Sequence, residues 1–331
     1  MQAENPIDLD QFDLMTGSSG WILLDRKLFW TSDAGQTWTE IGPSFPGDAS
    51  VVDVRFIDSN IGWVLVTLPN PDGSILFQLS QTDDRGTTWT TRVLSLFESG
   101  EIASYAEKAE MGWFDSQAGW ISVKQTSSSN FSLGTLFRTS DGGNSWSRFM
   151  LPVADRTYFS DPLTGWAIGG AANNELFTTQ DGGETWKNVS SSDIALDGQT
   201  VLYPPVISGG HGVFVMTKEG TENTLNVYTL QNSSDKWSLA DQVKMDAQPG
   251  LIGLSILDPQ NFVAVIPGTK SIVRMINGQL DQLENTDGLS DSIVELDMIS
   301  LDVGWGKSID SRCVTNSLSD PGTTSVSCSS A

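Results

Sequence analysis

The octapeptide T-x-D-x-G-x-[ST]-W occurs four times in this chain, at Thr31–Trp38, Thr82–Trp89, Thr139–Trp146 and Thr179–Trp186. Four copies in register define a repeat, and a repeat fixes the architecture before any single element is assigned. A second element sets the period. Asp58–Trp63, Asp115–Trp120 and Asp161–Trp166 all read D-x-x-x-G-W, and Gly20-Trp21 and Gly304-Trp305 are shorter echoes. Gly212-Val213-Phe214 and Asp258–Phe262 are worn copies. The heads Trp21, Trp63, Trp120, Trp166, Phe214, Phe262 and Trp305 mark seven units, roughly 40–60 residues apart. Ten of the twelve tryptophans fall at one of two fixed places in the unit, which argues for wedges between modules rather than a chemical role.

Each unit reads as four short strands. In the second, Val51–Phe56 alternates with period two and is followed by Gly62–Val66, Ile75–Leu79 and Thr88–Val93. β-Branched and aromatic runs separated by Gly, Asp and Asn clusters are the signature of strands joined by hairpins. The octapeptide joins the third strand to the fourth. Its Asp can accept backbone N–H groups within the turn, its Gly supplies a positive φ at little steric cost, and its Trp opens the last strand with a large apolar face. On this reading Asp33, Gly35 and Trp38, Asp84, Gly86 and Trp89, Asp141, Gly143 and Trp146, and Asp181, Gly183 and Trp186 are structural. The carboxylates recur one per unit and do not converge in sequence, which argues against metal binding or acid–base work.

Four-stranded units of this length fit the blades of a β-propeller. The octapeptide is the Asp-box, or BNR, motif, and the chain resembles the Asp-box propeller families. These include sialidases, sortilin-type receptors, some glycoside hydrolases, and the photosystem II assembly and stability factor type with its bacterial relatives. Pairing of an Asp-box with a D-x-x-x-G-W head is most similar to the last group. The expected fold is therefore all-β, a single seven-bladed propeller over residues 1–331. Its blades fall at about 10–47, 50–97, 105–150, 155–190, 200–240, 250–283 and 293–331. The seventh unit has no Asp-box: Glu295–Ile299 and Gly304–Ile309 supply two strands, and the cysteine-bearing tail either stands in for the outer pair or leaves the blade open. Six blades with an incomplete terminal unit is the alternative.

The chain carries 18 basic and 41 acidic residues, a formal charge of −23. That argues against nucleic acid or an anionic membrane as the main partner, favours solubility and points to a monomer. It also departs from the basic patch that belongs to the photosystem-assembly family. No stretch is long and apolar enough to span a membrane, and the polar Met1–Pro6 fits a start added after a removed signal or lipid anchor. The two cysteines, Cys313 and Cys328, flank a hairpin-like segment, and pairing them is the expectation. A disulfide places the protein outside the cytoplasm, in the periplasm, at the cell surface or secreted.

A search for chemistry finds little. One histidine, His211 in a glycine turn, cannot make a zinc site. No Ser-His-Asp or Cys-His set and no phosphate loop is present. The sialidase family's arginine motif before the first Asp-box is missing. The expectation is no metal, no cofactor and no catalytic residue. The function expected is a non-enzymatic, exported scaffold that binds a protein or a small polar ligand, in assembly of a cell-envelope complex. The alternative is a carbohydrate-active enzyme, sialidase-like or another glycosidase, or a glycan-binding module. The short repeated turns should share one face. The long dissimilar connections, Pro69–Gly73, Ser95–Glu110, Lys124–Gly134, Lys218–Asn223 and Asp241–Pro249, should share the other and carry any binding. Glu101, Tyr105 and Lys124 are the candidate binding residues there.

Overall fold

The computed structural model describes residues 7–70, 74–97, 106–125, 133–170, 174–189, 194, 196, 200–230, 236–245, 252–266, 271–283, 293–308, 311–317 and 323–330. The period-two runs and the turns between them build antiparallel sheets in chain order. The first comprises β1 (Ile7–Leu14), β2 (Gly20–Leu24), β3 (Lys27–Thr31) and β4 (Trp38–Glu40). The second comprises β5 (Ser50–Phe56), β6 (Gly62–Pro69), β7 (Ile75–Thr82) and β8 (Thr90–Leu94). The third comprises β9 (Ala106–Trp113), β10 (Gly119–Gln125), β11 (Gly134–Thr139) and β12 (Ser147–Leu151). The fourth comprises β13 (Arg156–Phe159), β14 (Gly165–Gly169), β15 (Glu175–Thr179) and β16 (Lys187–Asn188).

In the fifth sheet the innermost strand is broken into β17 (Thr200–Leu202) and β18 (Val206–Ser208), both paired to β19 (His211–Lys218), with β20 (Asn223–Leu230) and β21 (Trp237–Met245) outside. The break falls at Pro204-Pro205, where the backbone has no N–H to give the ladder. The sixth sheet is β22 (Gly253–Asp258), β23 (Asn261–Ile266), β24 (Ser271–Ile276) and β25 (Gln279–Leu283). The first strands of successive sheets touch one another, so they line the centre and the remaining strands radiate outward. This is a β-propeller with six blades built on four antiparallel strands.

The seventh unit does not complete a blade, so the expectation of seven full blades is corrected to the alternative. Among the described residues only β26 (Ile293–Ser300) and β27 (Val303–Ser308) form there, and they pair with each other. The C-terminal hairpin, β28 (Ser311–Ser317) and β29 (Thr323–Ser330), does not supply the missing outer strands. It joins the first sheet instead: Ile7 pairs with Cys313 and Thr324 with Trp38, which closes that sheet on itself. The physical reason lies at both ends. Unit seven has no octapeptide to start a fourth strand, whereas the outer strand of blade one is only three residues long and leaves an edge to cover.

Apolar side chains gather between consecutive blades. Trp63 and Trp113 stack face to face across the second and third, with centroids 4.1 Å apart and planes 2° from parallel. Trp21 and Trp30 pack on Phe56, and Trp120 on Phe159. The glycine before each head tryptophan is a steric requirement. A Cβ on Gly62 would lie 2.4 Å from the Phe56 ring, and one on Gly165 2.4 Å from Phe159, because the aromatic that ends the first strand lies across it.

The four octapeptide turns share one hydrogen-bond pattern. In the third blade, Asp141 Oδ1 accepts the Thr139 hydroxyl at 2.8 Å and the Ser145 amide at 2.9 Å, and Oδ2 accepts the Ser145 hydroxyl at 2.6 Å. Thr139 Oγ1 in turn accepts the Gly143 amide at 2.9 Å. Asp33, Asp84 and Asp181 make the same set of contacts. Each turn is also tied to the turn before the head tryptophan of its own blade, through Ala34 N to Ser18 O, Arg85 N to Asn60 O, Gly142 N to Gln117 O and Gly182 N to Leu163 O. First-to-second and third-to-fourth connections therefore share one face.

Candidate functional site

Because the first strands ring the centre, what their side chains do determines the character of the channel. Their polar groups reach sideways rather than inward. Gln11 Oε1 accepts Val54 N at 3.1 Å, Asp53 Oδ2 accepts Met111 N at 2.8 Å, and Glu110 Oε2 accepts Thr157 N at 3.0 Å. Further round, the Tyr203 hydroxyl accepts Ile252 N at 2.7 Å, Ser255 Oγ accepts Met298 N at 3.0 Å, and Asp297 Oδ2 accepts Leu14 N. Each bond joins one unit to the next. Among the described residues, six of the seven junctions, including both that flank the two-stranded unit, are closed by a side chain holding the neighbour's backbone amide. At the remaining junction, between blades four and five, the Arg156 guanidinium lies over the Tyr203 ring, 5.6 Å from its centroid.

Inside this ring lies a cavity of about 1020 Å³, lined among others by Asp53, Arg55, Lys108, Glu110, Arg156 and Tyr158. Its charges are mostly paired. Arg55 donates to Met111 O at 3.2 Å and lies 3.6 Å from Asp53 Oδ1. Its side chain is half exposed and lines the cavity. Burial pushes the Asp53 carboxyl up, against the pull of the Arg55 guanidinium and of the Met111 amide, while Asp53 pushes the Arg55 guanidinium up in turn. Lys108 bonds Glu110 Oε1 and the carbonyl of Asp155. The carboxyls of Asp13 and Asp297 bond to each other, and burial first, then the Asp297 charge, pushes Asp13 up to about 7. A carboxyl held at that value keeps a proton at near-neutral pH and can donate it to its partner.

Of the sequence-predicted binding residues, Glu101 and Tyr105 lie outside the described residues. Lys124, next to last in β10, lies directly opposite Lys108 in register, and its ammonium is 2.7 Å from Asp155 Oδ1. Lys108, Lys124, Asp155 and Arg156 thus gather at the end of the channel where the first strands begin, the mouth opposite the octapeptide turns. The cavity also runs through to the other end, where Ser160, Asp161 and Pro162 line it, so it is not confined to the face that sequence reasoning singled out. The four turn aspartates sit one per blade on that second face and are not brought together. Cys313 is buried and directly opposite Cys328 in the β28–β29 register. Among the described residues, no group of three or more His, Cys, Asp and Glu could hold a metal ion.

Sequence reasoning missed Gln11, Asp13, Asp53, Arg55, Arg156 and Asp297, and had Glu110 only as the end of a candidate binding loop. A signal for some of them was there. Gln11, Asp53, Glu110, Arg156 and Glu295 each stand ten residues before a head tryptophan, so the first strand repeats a polar position that a fully buried strand would not carry.

No family model matches the chain, and no curated protein matches it in sequence. Its fold is shared with solved structures. A YCF48 from Cyanidioschyzon merolae superposes with a TM-score of 0.55 at 14% identity, covering 92% of this chain and 94% of that one. The GH74 enzyme of Niastella koreensis superposes with a TM-score of 0.53 at 13% identity, covering 86% of this chain. The chain spans about half the length of that enzyme, 48%. At such identities the likeness is one of fold: the chain is a β-propeller with neighbours among both YCF48 and GH74 structures.

Proposed function

We propose that the chain is a non-enzymatic, exported propeller scaffold of the Asp-box type, which binds a protein or small polar ligand at the channel mouth opposite its octapeptide turns. The observation that carries this reading is the use made of the central carboxylates. A glycosidase needs two carboxyl groups about 5–9.5 Å apart with sugar and water between them. Here Asp53, Glu110 and Asp297 each hold a neighbouring blade's amide, and Asp13 is bonded to Asp297. Groups engaged in holding the ring closed are poorly placed for proton transfer to a ligand. The mouth, by contrast, collects Lys108, Lys124, Asp155 and Arg156 beside a large cavity. The end-to-end match with a YCF48 structure supports a role as a binding or assembly component, and the GH74 neighbour keeps carbohydrate processing as the alternative. Export rests on the facing of Cys313 and Cys328 across the terminal hairpin, which suits a disulfide.

The test couples capture to turnover. Immobilised protein is exposed to a solubilised cell-envelope fraction, and the same preparation is assayed against a panel of glycosides that includes sialosides. The scaffold reading expects a partner that is retained by the unaltered protein and released by Lys124→Glu, with no sugar liberated. Release of sugar at enzyme-like rates would overturn it. So would a partner indifferent to Lys124→Glu but lost on alteration of the turn face.

A further inference from the structure

Arg156 is the exception to the charge pairing around the channel. Among the described residues Asp53 is matched by Arg55, Glu110 by Lys108, Asp155 by Lys124 and Glu295 by Lys307. Arg156 lines the same cavity, is half-buried, and none of its five N–H donors is given to an acceptor among the described residues. Its one contact is the face of Tyr203. That ring cannot swing away, because its hydroxyl donates to Ile252 O at 3.3 Å while accepting Ile252 N at 2.7 Å. The guanidinium is therefore held in place, its donors unused, in the wall of a cavity large enough for a small molecule or the end of a chain. The guanidinium stays open to the cavity it lines, and its planar fork matches the two oxygens of a carboxylate.

We propose that Arg156 is an anion-binding residue and that the channel ligand carries a single carboxylate, bound at its guanidinium. The proposal rests on the binding-scaffold reading and names the group that the channel mouth recognises. Charge decides between a carboxylate and a phosphate. A phosphate monoester brings a charge of about −1.5 to −2, and among the described residues one cation at the mouth is uncommitted, with Glu110 on β9 and Asp155 just before β13 close by. One guanidinium neutralises one carboxylate. Beside Arg156 the wall offers Tyr158 and Pro204, apolar surfaces for the body that bears the carboxylate. A free organic acid and the C-terminus of a peptide present the same chemistry, and the experiment separates them.

Binding is measured by calorimetry and by the amide and guanidinium resonances of labelled protein. The probes are benzoate and N-acetylphenylalanine, the matching amides, inorganic phosphate, and a tetrapeptide with either a free or an amidated C-terminus. The acids should bind and the amides should bind at least about tenfold more weakly, as expected when a charge-assisted fork is lost. Arg156→Gln should remove that preference, whereas Arg156→Lys, which keeps the charge but not the fork, should retain part of it. A free-ended tetrapeptide that outcompetes both small acids assigns the site to chain ends; the reverse assigns it to free acids. Equal binding of acid and amide, phosphate bound more tightly than carboxylate, unchanged acid binding by a folded Arg156→Gln protein, or no acid bound at tens of millimolar would each overturn the inference. If Arg156→Gln fails to fold, Arg156→Lys decides the matter, because undiminished binding there excludes the fork. A partner released by Lys124→Glu yet unaffected by Arg156→Gln would sink the carboxylate assignment and leave the scaffold reading intact.

Discussion

Asp13 joins two weak points of the fold: the ring closes there, and the unit it closes against has only two strands. Its carboxyl is bonded to Asp297, whose Oδ2 accepts Leu14 N, and it is held at about 7 against an ordinary 3.8. A carboxyl whose pKa is raised on folding binds its proton more tightly in the native chain than in the unfolded one. The stability linked to it is fully present below pH 3.8, declines as pH rises, and is gone above about 7. At about 1.4 kcal/mol per unit, that interval corresponds to about 4 kcal/mol for the pair. A chain of 331 residues melts with an entropy of about 0.7 kcal/mol per kelvin, so the effect on Tm is about 6 °C.

Asp13→Asn should remove this dependence, because the amide donates to Asp297 at every pH. Calorimetric Tm values for both proteins from pH 4 to pH 8 are the assay. The difference between variant and parent should grow by about 6 °C in favour of the variant across that range. A difference that stays constant with pH would refute the shared-proton account. So would a variant that is less stable than its parent at pH 8.

Gly62→Ala should destabilise the second blade by about 1–3 kcal/mol, because the added methyl meets the Phe56 ring within a packed core; chemical denaturation measures it, and an unchanged midpoint would count against the packing argument. Tyr203→Phe removes both bonds to Ile252 and leaves its buried amide unpaired, at a cost of about 1–3 kcal/mol, or about 1.5–4 °C in Tm. Tyr158→Phe, whose hydroxyl makes no hydrogen bond among the described residues, is the control and should lose far less. Asp141 is held down at about 2, first by the Ser145 hydroxyl and then by the Ser145 amide, so its contribution is present above pH 3.8 and fades as pH falls towards 2. Asp141→Ala should therefore lower Tm at pH 7 more than at pH 2, with ligand binding at the far mouth unaffected. Intact mass with alkylation, before and after reduction, should find Cys313 and Cys328 joined in protein made under oxidising conditions; two alkylatable thiols would remove the main support for export.

The propeller was legible because its determinants are local. The octapeptide specifies a turn through bonds among its own residues, and at Gly62, Gly119 and Gly165 the glycine before the head tryptophan is fixed by the ring that lies across it. Such features survive in a linear reading. The blade count was harder, since it depends on where the C-terminal hairpin finds an edge. Nothing in residues 311–330 says that blade one, with its three-residue outer strand, offers a better edge than β27. The channel was harder still. Asp13 and Asp297 are neighbours only because the ring closes, and Arg156 becomes conspicuous only once every other cation at the mouth has found its acid. Lys124, chosen for its loop, stands at the mouth opposite the octapeptide turns and is paired with Asp155.

The same geometry constrains how such a protein could evolve a ligand. Six of the seven junctions are held by a side chain that reaches across to a backbone amide, and at each the side chain is an acceptor: an amide oxygen, a carboxylate or a hydroxyl. An arginine at the fourth position cannot play that part, because it has only donors. The junction between blades four and five is correspondingly the one at which a cation replaces an acceptor and an aromatic face replaces an amide. Removing an acceptor from any other position would leave an amide of the neighbouring unit unpaired, whereas Arg156 holds no amide and lines the cavity. Specificity for a negatively charged group is therefore concentrated at the one junction where changing the side chain leaves the hydrogen bonds of the ring intact, and substitutions there should alter binding more than they alter stability.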